Sequence, residues 1–223
     1  MDNFNSRKYT KEVKVTDRLN LRVRPMLKMA GTGNSVLDLA CNEGTISTLI
    51  KNSGNLVTGV EISDYGVRES RKKGFKVYKL DLNTPDWSKK IKSKFDVVFA
   101  GEIIEHIFET DTFLTNIYNV LKKGGYLVLS TPNLASFGRR LLLLLGKDPV
   151  TEHTSRNYEA GHLRYYVFQT LSNVLADNNF RIVECTSDVV NFSHSGKINS
   201  ILLAKMFPSI GASLIIKAIK SKL

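Results

Sequence analysis

Two carboxylates and an imidazole stand close together in the run Gly101-Glu102-Ile103-Ile104-Glu105-His106-Ile107. Glu102 lies three residues before Glu105 and four before His106, so on the first turn of a helix all three side chains share a face. They offer the oxygen and nitrogen ligands that suit a Mg²⁺- or Mn²⁺-like ion. A fourth ligand is available from His162 or His153, in a polar stretch further along the chain. An ion held by Glu102, Glu105, His106 and His162 would bind vicinal hydroxyls and lower the pKa of one of them. Without an ion, the candidate catalytic residues are His106 as a general base, Glu102 and His162. A third reading is structural: the acids favour a helix N-terminus through its dipole, and the histidines pack.

A second set of acids closes three predicted strands. Residues 36–40 are strand formers ending in Asp38, Leu39 and Ala40; Cys41-Asn42-Glu43-Gly44 turns the chain; residues 45–51 place Ile46, Leu49 and Ile50 on one helical face. A second strand, 56–60, is closed by Glu61, and a third, 75–80, by Asp81. Such a βαβ unit sets helix amides and a small-residue turn at the carboxyl edge of the strands, where nucleotide-like ligands bind. An acid at the tip of the second strand accepts both hydroxyls of a ribose. The turn is not the dinucleotide fingerprint G-x-G-x-x-G, since Ala40 and Asn42 occupy the would-be glycine positions. Asp38 beside it repels phosphate and suits a cationic, amino-acid-like group.

The run from Asp38 to Gly44 resembles motif I of the class I S-adenosylmethionine (SAM) methyltransferases, usually D-x-G-C-G-x-G. It departs at Ala40, nearly as small as glycine, and at Asn42, which tolerates left-handed backbone. The resemblance implies a SAM site built from Asp38, Ala40, Cys41, Asn42 and Gly44, with Glu61 and Ile62 at the ribose, Asp81 and Leu82 at the adenine, and Gly101 at the next strand tip. Trp87 would close the adenine slot or join the core, Asp81 would alternatively cap a turn before Pro85, and Arg22 or Arg24 would either reach the SAM carboxylate or stand in solvent. The E-I-I-E-H tip, a following helix, L-K-K-G-G and a strand ending T-P-N are similar to the ubiquinone-biosynthesis O-methyltransferases; with motif I the resemblance covers about residues 36–133. The Glu/Glu/His/His set also resembles the ion site of small-RNA ribose methyltransferases.

The resemblance implies methyl transfer to a hydroxyl of a small molecule, a lipid precursor or a sugar. Oxygen is preferred because the N/D-P-P-Y/F tip of many N-methyltransferases is absent. Alternatives are an RNA-modifying enzyme and a non-catalytic module that binds SAM or an anion. No covalent nucleophile is required, so Cys41 needs no catalytic role.

The elements that must hold these residues read as an α/β chain. The expected fold is a Rossmann-like, seven-stranded, mostly parallel sheet with an antiparallel last strand, helices on both faces, and one domain with a lid loop. An N-terminal arm and helix (1–30) precede the methyltransferase domain (31–223), within which 134–166 forms the substrate lid. The leading helix carries Leu19, Val23, Met26, Leu27 and Ala30 at helical spacing, interrupted by Pro25. Residues 95–100 are apolar throughout, as in the centre of a parallel sheet, and 134–146 read as an apolar helix with Arg139-Arg140. Residues 214–220 are either the last strand, antiparallel beside the fifth, or an amphipathic cationic helix; Ile215, Ile216 and Ile219 favour the strand.

At 223 residues and 42% hydrophobic, the chain can bury one sizeable core. Two cysteines make no disulfide framework and point to a reducing, cytoplasmic setting. Residues 1–14 are polar rather than signal-like, and no stretch approaches the 18 apolar residues of a spanning helix. The net charge of +11 favours anionic partners (RNA, a phosphorylated substrate, or a peripheral contact of the basic C-terminus with anionic membrane) or is simply a basic surface that binds none.

Overall fold

The computed structural model describes residues 17–149, 161–192 and 198–221. The expected N-terminal arm up to residue 16, His153 and the middle of the expected lid lie outside them.

Helix α1 (Asp17–Ala30) runs through Pro25 and leads to β1 (Ser35–Leu39), α2 (Thr45–Asn52), β2 (Leu56–Glu61), α3 (Asp64–Lys72) and β3 (Lys76–Lys79). Strand β4 (Phe95–Gly101), helix α4 (Thr110–Val120) and strand β5 (Leu121–Pro132) follow, then α5 (Phe137–Leu144), α6 (Phe168–Asp177) and β6 (Phe180–Thr186). A two-stranded ribbon, β7 (Val190–Asn191) with β8 (Asn199–Ser200), leads into α7 (Ile201–Met206) and β9 (Ser213–Lys220).

Seven strands form one sheet in the order β3-β2-β1-β4-β5-β9-β6. β1 pairs parallel with both β2 and β4, and β9 pairs antiparallel with β5 and β6. The residues at 214–220 are therefore a strand deep in the sheet, and the cationic-helix alternative falls. Lys217 and Lys220 lie over the rings of Tyr126 and Tyr118, each 3.9 Å from the centroid, so two C-terminal cations pack on the domain.

Strand periodicity sends alternate residues to opposite faces. Val36, Val97, Val128 and Ile215 meet Met26, Met29 and Ile50 of α1 and α2 on one face. Leu37, Val98, Leu127 and Ile216 meet Phe113, Leu114, Ile117 and Leu171 of α4 and α6 on the other. Helices on both faces follow from that double burial. Trp87 is fully buried against Phe113, centroids 6.3 Å apart, so it belongs to the core. The strand order reverses between β1 and β4, and the crevice at their carboxyl ends is where such a sheet holds a ligand.

Candidate active site

The turn after β1 keeps a glycine-like backbone. Ala40, Asn42 and Gly44 have φ of 57°, 47° and 83°, so alternate residues are left-handed although two carry side chains. Gly44 opens α2 with no side chain capping its first amides, an end that a ligand can satisfy. The buried Glu61 carboxylate ties this turn to β2: one oxygen accepts from Asn42 N at 2.9 Å, the other from Ser63 N at 2.7 Å. Each oxygen keeps a second lone pair for a ribose hydroxyl. A Cβ on Gly66 would stand 2.8 Å from Glu61 Cγ, so only glycine lets α3 approach this closely.

Asp38 is buried and accepts from Ser47 Oγ at 2.6 Å. Burial pushes its carboxyl from the usual 3.8 up to about 7; the Ser47 bond opposes this and Glu61 adds to it. Asp38, Ala40 and Gly101 line one pocket with Arg22, Met26, Ile46 and Phe99. Burial and the same acids push the Cys41 thiol far above its ordinary value, which removes it as a nucleophile. Ile62 is half-buried behind Glu61, and Leu82 is buried. Asp81 Oδ1 accepts from Asn83 N at 2.9 Å and its carbonyl from Thr84 N at 3.1 Å, so this acid closes a turn at the tip of β3.

The E-I-I-E-H tip is not the start of an α-helix. Glu102 is left-handed (φ 54°), with its N–H donating to Ser130 O at 3.0 Å, and Ile104–His106 form a 3-10 turn. The shared helical face expected for the three side chains is therefore broken. Glu102 turns to α1 and β5: it pairs with Arg22 Nη1 at 3.1 Å and accepts from Ser130 Oγ at 2.9 Å. Arg22, expected at the cofactor carboxylate, holds Glu102 here.

Glu105, His106 and His162 do converge, each offering a ligand atom within 4.8 Å of the others. Glu105 is buried and accepts from Thr131 Oγ1 at 3.0 Å; its Oε1 lies 4.0 Å from His162 Nε2 and has no hydrogen-bond partner among the described residues. Burial first, then the Glu102 charge, pushes its carboxyl from 4.5 up to about 8. The His106 and His162 ring centroids are 4.8 Å apart. His162 is brought in by its neighbours, since Leu163 N and Arg164 N both donate to Glu105 O, at 2.8 and 3.2 Å. The sequence reading missed Ser47, Ser63, Ser130 and Thr131. Small hydroxyl residues carry no spacing signal of their own, and only the fold puts them against the acids.

A family model described as "Methyltransferase domain" matches residues 11–185. The chain belongs to that methyltransferase family. It is 28% identical over 159 residues to the mitochondrial ubiquinone biosynthesis O-methyltransferase of Schizosaccharomyces pombe, covering 68% of this chain and 56% of that one. The ubiquinone biosynthesis O-methyltransferase of Pseudomonas paraeruginosa is 28% identical over 51% of each chain. The chain thus spans about half the length of these relatives. Among solved structures, a SAM-dependent methyltransferase of Thermotoga maritima, titled a possible histamine N-methyltransferase, superposes with TM-score 0.67 at 18% identity, covering 91% of each chain. The magnesium protoporphyrin IX methyltransferase of Synechocystis with bound S-adenosylhomocysteine (SAH) superposes at 0.59 and 17% identity, covering 98% and 93%. The expected methyltransferase family is met by the family model, and the expected Rossmann-like fold by the solved structures.

Proposed function

We propose that this methyltransferase domain moves the methyl group of SAM to a hydroxyl of a small acceptor, such as a phenol, a lipid precursor or a sugar. The observation that carries this reading is the convergence of buried Glu105 with His106 and His162, in the turn that follows Gly101 of the Asp38 pocket, a group suited to taking a hydroxyl proton. The ubiquinone O-methyltransferase relatives support oxygen as the acceptor atom.

In the proposed step the acceptor oxygen attacks the sulfonium methyl in line. The O–CH₃ bond forms as the S–CH₃ bond breaks, the sulfur keeps the electron pair as the thioether of SAH, and the hydroxyl proton passes to His106. Nδ1 of His106 faces Gly161 O at 3.2 Å; a carbonyl only accepts, so Nδ1 carries the proton and the basic lone pair is on Nε2. Asp38, Glu61 and Asp81 would hold the ammonium, ribose and adenine ends, which leaves positioning as the main task of the remaining residues. Residues 134–166 would act as the acceptor lid, with His162 its contact to the site. The free thiols of Cys41 and Cys185 suit a reducing, cytoplasmic setting.

A divalent ion such as Mg²⁺ or Mn²⁺ also fits Glu105, His106 and His162, because Oε1 of Glu105 is an orphaned buried acceptor among nearby nitrogens. Bound there, it would acidify the acceptor hydroxyl. Glu102, engaged by Arg22, would stand outside that ligand set.

The test is SAH release, read by mass spectrometry, against panels of phenols, sugars and amines. Turnover on hydroxyls should fall about 10²- to 10⁴-fold in His106→Ala with SAM affinity unchanged. Full turnover in that variant removes the base, and release with amines alone removes oxygen. For the ion, calorimetric titration with Mn²⁺ should show heat in the wild type that Glu105→Ala loses; equal, negligible heats in both end that part.

A further inference from the structure

We infer that α5 and α7 form a docking face for an anionic lipid bilayer. Helix α5 is half leucine, yet no side chain along it is buried. Leu141, Leu144 and Leu145, at helical spacing on one face, are 39%, 82% and 69% exposed. On α7 only Ala204 is buried, while Leu202, Met206 and the following Phe207 are 68%, 60% and 51% exposed. Singly exposed apolar residues are ordinary, but two neighbouring helices that both turn apolar side chains outward mark an interaction surface.

The two helices are held as one unit. Both pack on the β7–β8 ribbon, Phe137 meets Phe192 edge-on with centroids 5.2 Å apart, and Arg140 Nη2 donates to Ser209 O at 3.2 Å, just past α7. The patch therefore faces solvent as a shaped surface rather than as two independent helices. It is entered directly from the tip of β5, on the sheet edge that carries the strand-tip acids.

Charge selects the occupant. In the described residues of these two segments (137–149 and 198–211) the cations are Arg139, Arg140, Lys147 and Lys205, against one acid, Asp148. Leucines flanked by long cationic side chains are the composition of a helix lying in the headgroup layer of an anionic membrane: apolar groups enter the acyl boundary while the charges reach phosphates. A two-fold dimer would press the same patch against itself and bring like charges together. The C-terminal strand, the other basic candidate for such a contact, lies within the sheet.

The experiment is co-sedimentation of the full chain with extruded vesicles of phosphatidylcholine, alone or doped with phosphatidylglycerol. The chain should pellet with the doped vesicles, stay in solution with the neutral ones, and release as salt is raised. Leu144→Asp with Leu202→Asp should lower partition by about tenfold or more. Lys147→Gln with Lys205→Gln should weaken the preference for anionic vesicles, leaving the part that Arg139 and Arg140 carry. All four positions are exposed, so thermal midpoints should match the wild type. A wild type that ignores doped vesicles, or an Asp pair that binds like the wild type, overturns the proposal. A dimer by light scattering that the Asp pair dissolves assigns the face to a second copy instead.

Discussion

Ala40 holds a backbone conformation that its own side chain resists. At φ 57° its Cβ crowds the following carbonyl, a cost of roughly 1–2 kcal/mol relative to glycine. Asn42 at 47° carries less of that cost, because its short polar side chain suits the left-handed region. Glu102, also left-handed, is held by Ser130 and Arg22, so the contacts that fix it offset its strain. Ala40 has no such tie beyond the turn itself, and its side chain is exposed, so removing the methyl loses no packing. Ala40→Gly should therefore stabilise the protein by about 1 kcal/mol, after allowing for the freer unfolded chain. In a chain of this length that raises the thermal midpoint by about 2–4 °C. Scanning calorimetry of the two proteins decides it, and a midpoint that falls shows that the alanine contributes something the backbone angle does not reveal.

Among the elements, β9 is the one whose removal tests the architecture. It sits between β5 and β6, and Leu214, Ile215, Ile216 and Ala218 are fully buried, on both faces. Burying each of the three larger side chains stabilises by about 1.5–3 kcal/mol, so together they are comparable with a domain's whole stability. A chain ending before Ser213 should show no cooperative unfolding in urea, and a sharp transition would mean the sheet closes without its antiparallel strand. The sequence left this element open for a physical reason: Ile215, Ile216 and Ile219 fit a helical face almost as well as an alternating strand. The unpaired edges of β5 and β6 settle it, and those edges are long-range facts. The E-I-I-E-H turn misled for the same reason. Its spacing reads as helix, while the angle at Glu102 is set by a carbonyl at Ser130, a strand away. By contrast β1, α2, β2 and the acids at their tips were legible, because each follows from a period or a turn residue within a few positions. The convergence of His162 on Glu105 was legible as chemistry, and its geometry was not.

At the scale of the molecule, the proposed function asks a chain of net charge +11 to attract a cofactor whose sulfonium and ammonium are positive. The solution is local: buried acids at strand ends make a negative pocket inside a positive surface, and burial, with those acids adding to it, raises the Cys41 thiol. Burial above all, with the Glu61 charge adding to it, pushes the Asp38 carboxyl from 3.8 up to about 7. A carboxyl whose folded pKa is raised binds its proton more tightly when folded. Its contribution to stability is present below about pH 4 and is lost as pH rises through about 7. Cofactor binding runs the other way, since the ionised carboxylate is the form that holds a cation. The thermal shift produced by saturating SAM should therefore grow from about pH 6 to about pH 8, while the free protein loses stability over the same window. Asp38→Asn should flatten the SAM-dependent trend, leave the free protein only the loss that Glu105 contributes as it titrates near 8, and weaken SAM binding at about pH 8 more than at about pH 6. Thermal shift and equilibrium dialysis across that range measure both, and an asparagine variant with wild-type slopes would place the titrating acid, and with it the grip on the cation, elsewhere in the sheet edge.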